Sequence, residues 1–137
     1  GVRDGTIDCL VTDHAPHGRE DKARELQYAP FGMLGLECAL PLYIEALITP
    51  NVVAWPRLVA MMSTRPAELL GVPGGTLKVG AAADVALINP SLEWTIDAEQ
   101  FRSKSRNCPW QGRRVRGQAV GTLVDGGWRY RGSAGVD

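Results

Sequence analysis

The chain has 137 residues, 45% of them hydrophobic, and its 15 basic and 15 acidic side chains cancel to a formal net charge of +0. That length suits one ordinary domain with an apolar core. The balanced charge leaves no global field to recruit nucleic acid or an acidic membrane, and no apolar stretch reads as a bilayer span or a signal peptide.

Gly1-Val2-Arg3-Asp4-Gly5 has no initiator Met and runs at once into apolar sequence, so the chain reads as starting in the middle of a fold. Thr6 to Thr12, with Ile7, Leu10 and Val11, is the kind of short apolar run expected of a parallel strand covered on both faces. Asp13-His14-Ala15-Pro16-His17 follows directly and holds both histidines of the chain. Gly18 to Tyr28 carries Arg19, Glu20, Asp21, Lys22, Arg24 and Glu25 and reads as a solvated loop.

After the turn signal Ala29-Pro30-Phe31-Gly32, the stretch Leu34 to Leu47 is apolar nearly all round and predicts a buried helix. A second helix is expected over Pro56 to Ser63, with proline at its start and Leu58, Met61 and Met62 on one face. Arg65 to Gly71 repeats that logic, proline early and glycine just past the end. Beyond Gly71 the apolar residues come in short β-like runs: Val85 to Ile88, Trp94 to Ile96, Ala119 to Val124 and Trp128 to Tyr130. Asp125-Gly126-Gly127 signals a hairpin turn between the last two. A boundary therefore falls near residues 71–76, separating an α/β part (1–72) from a β-rich part (73–137). The three cysteines, Cys9, Cys38 and Cys108, are odd in number and form no Cys-x-x-Cys pair. They read as free thiols of a reducing cytoplasm.

The chemistry concentrates at residues 13–17. A carboxylate at a strand's end can hold a divalent metal with one oxygen and accept a proton with the other, and in α/β enzymes that sheet edge is where reactions occur. His14 and His17 could ligate metal or bind an anionic group. The basic residues Arg102, Lys104, Arg106, Arg113, Arg114 and Arg116 read as a solvated face, since net charge is zero and no reading helix accompanies them. The tryptophans lie far apart and read as packing anchors.

The string Val11-Thr12-Asp13-His14-Ala15-Pro16-His17, with Phe31-Gly32-Met33-Leu34-Gly35-Leu36-Glu37 after it, resembles the dihydroorotases of the amidohydrolase superfamily. The likeness continues through Ser63-Thr64-Arg65-Pro66-Ala67, Gly75 to Val85, and Ser103-Lys104-Ser105-Arg106-Asn107-Cys108-Pro109-Trp110, and so covers almost the whole chain. Hydantoinases and allantoinases of the same superfamily usually differ after the first His of the Asp-His-Ala-Pro-His string.

The resemblance implies the C-terminal end of a metal-dependent (β/α)8 TIM barrel, its last strand and helices, followed by a small β-sandwich module. It implies that Asp13 is a zinc ligand and the catalytic proton acceptor, that His17 holds the substrate through its carboxylate, and that Phe31 and Gly32 touch the substrate with their backbone. His14 is left as a packing residue or a support behind the ligands. The implied reaction interconverts N-carbamoyl-L-aspartate and L-dihydroorotate in the cytoplasm with one or two Zn2+ ions. A homodimer or an aspartate transcarbamoylase partner is compatible with it, and neither nucleic acid nor membrane is expected. The family also needs a His-x-His pair and further ligands that this chain lacks, so the chain by itself is expected to be inactive. Two alternatives stand beside this reading: a non-catalytic partner of aspartate transcarbamoylase, and another cyclic amidohydrolase such as a hydantoinase or allantoinase.

Overall fold

The computed structural model describes residues 1–132. A short helix α1 (Arg19–Lys22) precedes two longer helical segments, and a three-stranded antiparallel sheet follows. The first segment is α2 (Ala39–Tyr43) continued by a π-helical turn (Ile44–Ile48). The second is α3 (Trp55–Val59), a π-helical turn (Ala60–Thr64) and α4 (Arg65–Leu70). The sheet is β1 (Val85–Thr95), β2 (Arg114–Val124) and β3 (Gly127–Arg131), in that order.

Both π-helical turns have the same cause in the sequence. Each is followed two residues later by a proline, Pro50 or Pro66, whose ring would strike the carbonyl four residues back in a regular α-helix. That carbonyl belongs to Ala46 in one case and Met62 in the other, each inside a widened turn. Widening has a second effect. In the wider register the Met61 carbonyl would pair with residue 66, and proline has no N–H to give. It accepts the Leu10 N–H instead, at 3.0 Å. The Arg65 guanidinium bonds the Asp8 carboxylate at 2.7 Å, and this hydrogen bond is the main reason the Asp8 carboxyl lies below its usual range. These two ties hold residues 8–10 against the second helical segment.

The expected strand over Thr6 to Thr12 is the largest departure. Residues 7–13 have no ladder among the described residues; the nearest sheet-like feature is an isolated parallel bridge between His14 and Met33. The helix expected from Leu34 starts only at Ala39. A helix begun at Leu34 would carry Pro41 in its interior, with no N–H for the Glu37 carbonyl; the residues before α2 turn to other partners, the Leu34 N–H to the Asn107 carbonyl and those of Gly35 and Leu36 to His14. Pro41 is harmless near the start of α2, where no intrahelical N–H is required.

Helix α4 ends at Gly71 in the left-handed conformation (φ 64), the stop that glycine provides. Two of the expected β runs, Val85 to Ile88 and Trp94 to Ile96, belong to one long irregular strand. Its register shifts at Leu87/Ile88 and again between Asn89 and Glu93, around Pro90, which cannot donate to a ladder. The hairpin after β2 turns through Asp125 (φ 51) and Gly126 (φ 74), as a two-residue turn with both central residues at positive φ should. Among the described residues there is one sheet and no second sheet facing it, so they do not by themselves form the expected sandwich.

The core joins the two parts. Leu34 and Cys38, at the entry to α2, pack with Ile96, Ala98, Phe101, Cys108 and Val115, and Trp94 and Trp110 close its edge. All three cysteines are free, as expected, and Cys38 and Cys108 are buried. Burial pushes the Cys38 thiol up to about 11, with the neighbouring Cys108 adding to the effect. The thiolate, not the thiol, is the nucleophile that attacks an alkylating reagent. The expected labelling result at neutral pH is modification of Cys9 alone in the folded protein, with Cys38 and Cys108 reacting only after denaturation. Mass-spectrometric mapping checks this, and equal labelling of Cys38 and Cys9 would contradict the packing. No helix among the described residues is long and apolar enough to cross a membrane.

Candidate active site

Asp13 sits at the end of the tethered segment with a left-handed backbone (φ 47). Few residues other than glycine accept that conformation, and aspartate is among them because its short polar side chain tolerates it. The residue is exposed, and its carboxylate has no hydrogen-bond or ion-pair partner among the described residues. It opens onto a recess of about 400 Å³ that it shares with Gly32, Met33, Asn107 and Pro109.

Gly32 stands opposite because residues 30–34 are pinned on every side. The Gly32 carbonyl accepts from Lys22 Nζ at 3.0 Å and from Asn107 Nδ2 at 2.8 Å, and the Pro30 carbonyl accepts from Lys22 Nζ at 2.9 Å. Leu34, 1% exposed, anchors the next residue in the core. Burying a leucine contributes roughly 1.5–3 kcal/mol. Lys22 thus bridges the carbonyls on both sides of Phe31, whose side chain projects into solvent, 99% exposed. Gly32 has φ 127, and a Cβ there would lie 2.7 Å from Ala15 Cβ and 3.0 Å from His17 Cδ2. Only glycine allows the 13–17 loop to come this close.

His17 is half-buried and its ring has no hydrogen-bond partner among the described residues. It lines a neighbouring recess of about 410 Å³ together with Arg19, Lys22, Glu99, Arg106 and Asn107. Asn107 lines both recesses, and the Gly32 backbone, which its amide holds, lies beside the His17 ring. The structure therefore brings Asp13, His17 and Gly32 together and leaves the Phe31 side chain outside, with only its backbone in the turn. A larger recess, about 580 Å³, lies against Leu36, Trp94 and Tyr130. Its carboxylates are already engaged: Glu37 accepts the N–H groups of Arg102 and Ser103 at 2.9 and 3.0 Å, and Asp97 accepts from Gln111, the Glu99 amide and Gln100. Those bonds hold the Asp97 carboxyl below its usual range, Gln111 contributing most. The Asp13 carboxylate is unpartnered among the described residues, whereas the carboxylates of the larger recess are not.

His14 is fully committed, its Nδ1 lying 3.2 Å from both the Gly35 and Leu36 amides and its Nε2 3.2 Å from Ser103 Oγ. Zinc takes three or four protein ligands, and no cluster of three His, Cys, Asp or Glu side chains forms among the described residues. Asp13 fits as one oxygen ligand; the described residues do not by themselves make up a metal site. Lys22, Ser103 and Asn107 were not picked out by residue type or spacing. They come from the solvated loop and from the segment between β1 and β2, and only the resemblance around Ser103 to Trp110 marked the latter. The basic residues expected to form a solvated face are mostly paired there: Arg106 and Arg19 with Glu99, Arg113 with Glu45, and Arg114 and Arg116 with Glu93.

The profile of the amidohydrolase family matches residues 1–129. The dihydroorotase of Geotalea daltonii is 48% identical over 126 residues, which is 92% of this chain and 29% of that protein. The dihydroorotase of Caldanaerobacter subterraneus subsp. tengcongensis is 43% identical over 131 residues, 96% of this chain and 30% of that protein. The L-hydantoinase (dihydropyrimidinase) from Arthrobacter aurescens superposes with a TM-score of 0.87 at 34% identity, covering 99% of this chain and 32% of its own. The chain thus spans roughly three-tenths of the length of the relatives it matches. A match that runs from the first residue through the Asp13 turn and on to the last strand places this chain in the amidohydrolase family.

Proposed function

We propose that this chain is the C-terminal portion of a dihydroorotase, the zinc-dependent cyclic amidohydrolase that interconverts N-carbamoyl-L-aspartate and L-dihydroorotate in pyrimidine biosynthesis. Residues 1–72 contribute the last strand and helices of a (β/α)8 barrel, and residues 73–137 contribute to a β-sandwich module. The observation that carries the reading is the unpartnered Asp13 carboxylate in a left-handed turn, set across a small recess from the Gly32 backbone. The apolar run before it supports the barrel. Ile7 and Val11 are 48% and 78% exposed, and the N–H groups of Asp8, Cys9, Val11 and Thr12 find no backbone partner among the described residues. A sheet edge of that kind calls for a neighbouring strand.

In this reading Asp13 accepts a proton from the attacking water and returns it to the ring nitrogen as the amide bond breaks; the condensing direction uses the same transfer reversed. His17 binds the substrate's carboxylate as a hydrogen-bond donor. The Phe31-Gly32 backbone, held by Lys22 and Asn107, lies against the substrate with no side chain between. Asp13 is one ligand for one or two zinc ions whose other ligands lie outside this chain. The enzyme works in the cytoplasm on this small-molecule substrate, and a homodimer or an aspartate transcarbamoylase complex are the assemblies to look for.

Hydantoinase activity is the second reading, favoured by the superposition on the Arthrobacter aurescens enzyme. The higher identity to the dihydroorotases ranks it behind. The test is a chimera in which this chain replaces the matching 29% of the Geotalea daltonii dihydroorotase. With zinc present, the chimera is expected to turn over dihydroorotate and leave hydantoin and allantoin untouched, while the 137-residue chain alone does nothing. A folded chimera inactive on dihydroorotate but active on hydantoin selects the second reading. One inactive on all three favours a purely structural partner of aspartate transcarbamoylase.

A further inference from the structure

We propose that His14 is a positioning residue: its imidazole, held between the Gly35 and Leu36 amides and the Ser103 hydroxyl, fixes the left-handed turn that aims Asp13. The inference rests on the role proposed for Asp13 and adds to it a residue whose own chemistry is not used in the reaction.

The bonding pattern dictates the tautomer. Backbone amides only donate, so the two N–H groups at 3.2 Å make Nδ1 the acceptor. The ring proton is then on Nε2, where it donates to Ser103 Oγ at 3.2 Å. Both nitrogens are occupied, so His14 has no lone pair left for a metal and no free position for proton transfer. It joins three chain segments: the 13–17 loop, the entry to α2, and the stretch between β1 and β2.

These segments are themselves fixed. Glu37 holds the Ser103 amide at 3.0 Å, and Asn107 pairs with Leu34 at 2.9 Å. The imidazole is therefore seated in a rigid frame rather than on a loop. The conformation it stabilises needs such support, because a left-handed residue other than glycine costs about 1–2 kcal/mol and persists where its surroundings over-determine it. Before Asp13, the Tyr43 hydroxyl donates to the Val11 carbonyl at 2.9 Å and the His14 amide reaches back to Thr12 Oγ1 at 3.3 Å. After it, the Ala15 amide bonds the Met33 carbonyl at 3.1 Å. Between these two ties the imidazole is the side chain that fastens the peptide directly following Asp13 to the entry of α2 and to Ser103.

The experiment uses the same chimera. His14→Leu keeps the bulk and removes both ring bonds; kcat is expected to fall about 10–100-fold, the usual cost of losing a residue that orients a ligand, while KM stays near the parent value. His14→Asn places an amide oxygen where Nδ1 stands and is expected to recover most of kcat. Ser103→Ala leaves the two amide bonds intact and should cost little. A role confined to folding would lower the yield of soluble protein without this split between kcat and KM. An unchanged kcat in His14→Leu, or no recovery in His14→Asn, overturns the proposal. If the parent chimera has no activity, the dihydroorotase reading fails first. The positioning role is then decided by the crystal structure of the His14→Leu chimera, where it predicts that Asp13 leaves positive φ and is refuted if the turn is unchanged.

Discussion

In the dihydroorotase chimera, Asp13→Asn is expected to lower kcat by about 10²–10⁴-fold, the range spanned by loss of a general base, with binding of N-carbamoyl-aspartate close to the parent's. Asparagine is the informative replacement. It matches aspartate in size and tolerates the left-handed backbone equally well, so the turn at φ 47 survives. What disappears is the negative charge and the capacity to take up a proton. Alanine would mix that loss with relaxation of the turn, because it has no side chain to stabilise positive φ. The Phe31-Gly32 backbone, proposed to face the substrate, keeps its position through bonds that do not involve the Asp13 side chain. Steady-state kinetics together with calorimetric titration of the ligand separates the two effects. Turnover at the parent rate in Asp13→Asn would remove Asp13 from the mechanism, and equal losses in kcat and affinity would make it a binding group.

Much of this site is legible in the sequence, and the reason is local. Asp13, His17 and Gly32 fall in short strings where a turn, a carboxylate and an obligate glycine stand within a few residues of one another. The same holds for the stop at Gly71 and the turn at Asp125-Gly126, where backbone conformation is dictated by the residues themselves. What periodicity misreads is set from a distance. The run Thr6 to Thr12 has the composition of a buried strand, yet strand pairing requires a neighbour, and the described residues provide no strand there, just scattered bonds to Gly1, Tyr43, Met61 and Arg65. The residues from Leu34 are drawn to distant partners, Asn107 and His14, and the helix starts at Ala39, which leaves Pro41 in its first turn. Lys22 looks like one more charge in a solvated loop, and nothing in its neighbours marks it as the clamp on residues 30 and 32. The joined strand β1 hides behind Pro90, which reads as a break and acts as a bulge.

The second large effect is expected at Gly32, which combines positive φ with a close approach of neighbouring backbone. Its φ of 127 lies in a region that side chains rarely adopt, and a Cβ would stand 2.7 Å from both Ala15 Cβ and the Ala15 carbonyl. Neither neighbour can give way cheaply. Ala15 is held by its amide bond to the Met33 carbonyl at 3.1 Å, and Gly32 by Lys22 and Asn107. Backbone strain of about 1–3 kcal/mol and a similar cost of overpacking place Gly32→Ala at roughly 2–5 kcal/mol of lost stability. The displacement that relieves the clash must separate residues 30–33 from residues 13–17, which pulls the substrate-facing backbone away from His17. KM in the chimera is therefore expected to rise together with the loss of stability. Gly71→Ala supplies the comparison: it too has positive φ, 64, but a Cβ there meets nothing within 4 Å. Its cost should be confined to about 1–2 kcal/mol of conformational strain, with KM unchanged. Denaturant melts and kinetics on the two variants separate strain from steric displacement. If Gly32→Ala behaves like Gly71→Ala in both measurements, the close approach of the two loops has no part in binding substrate.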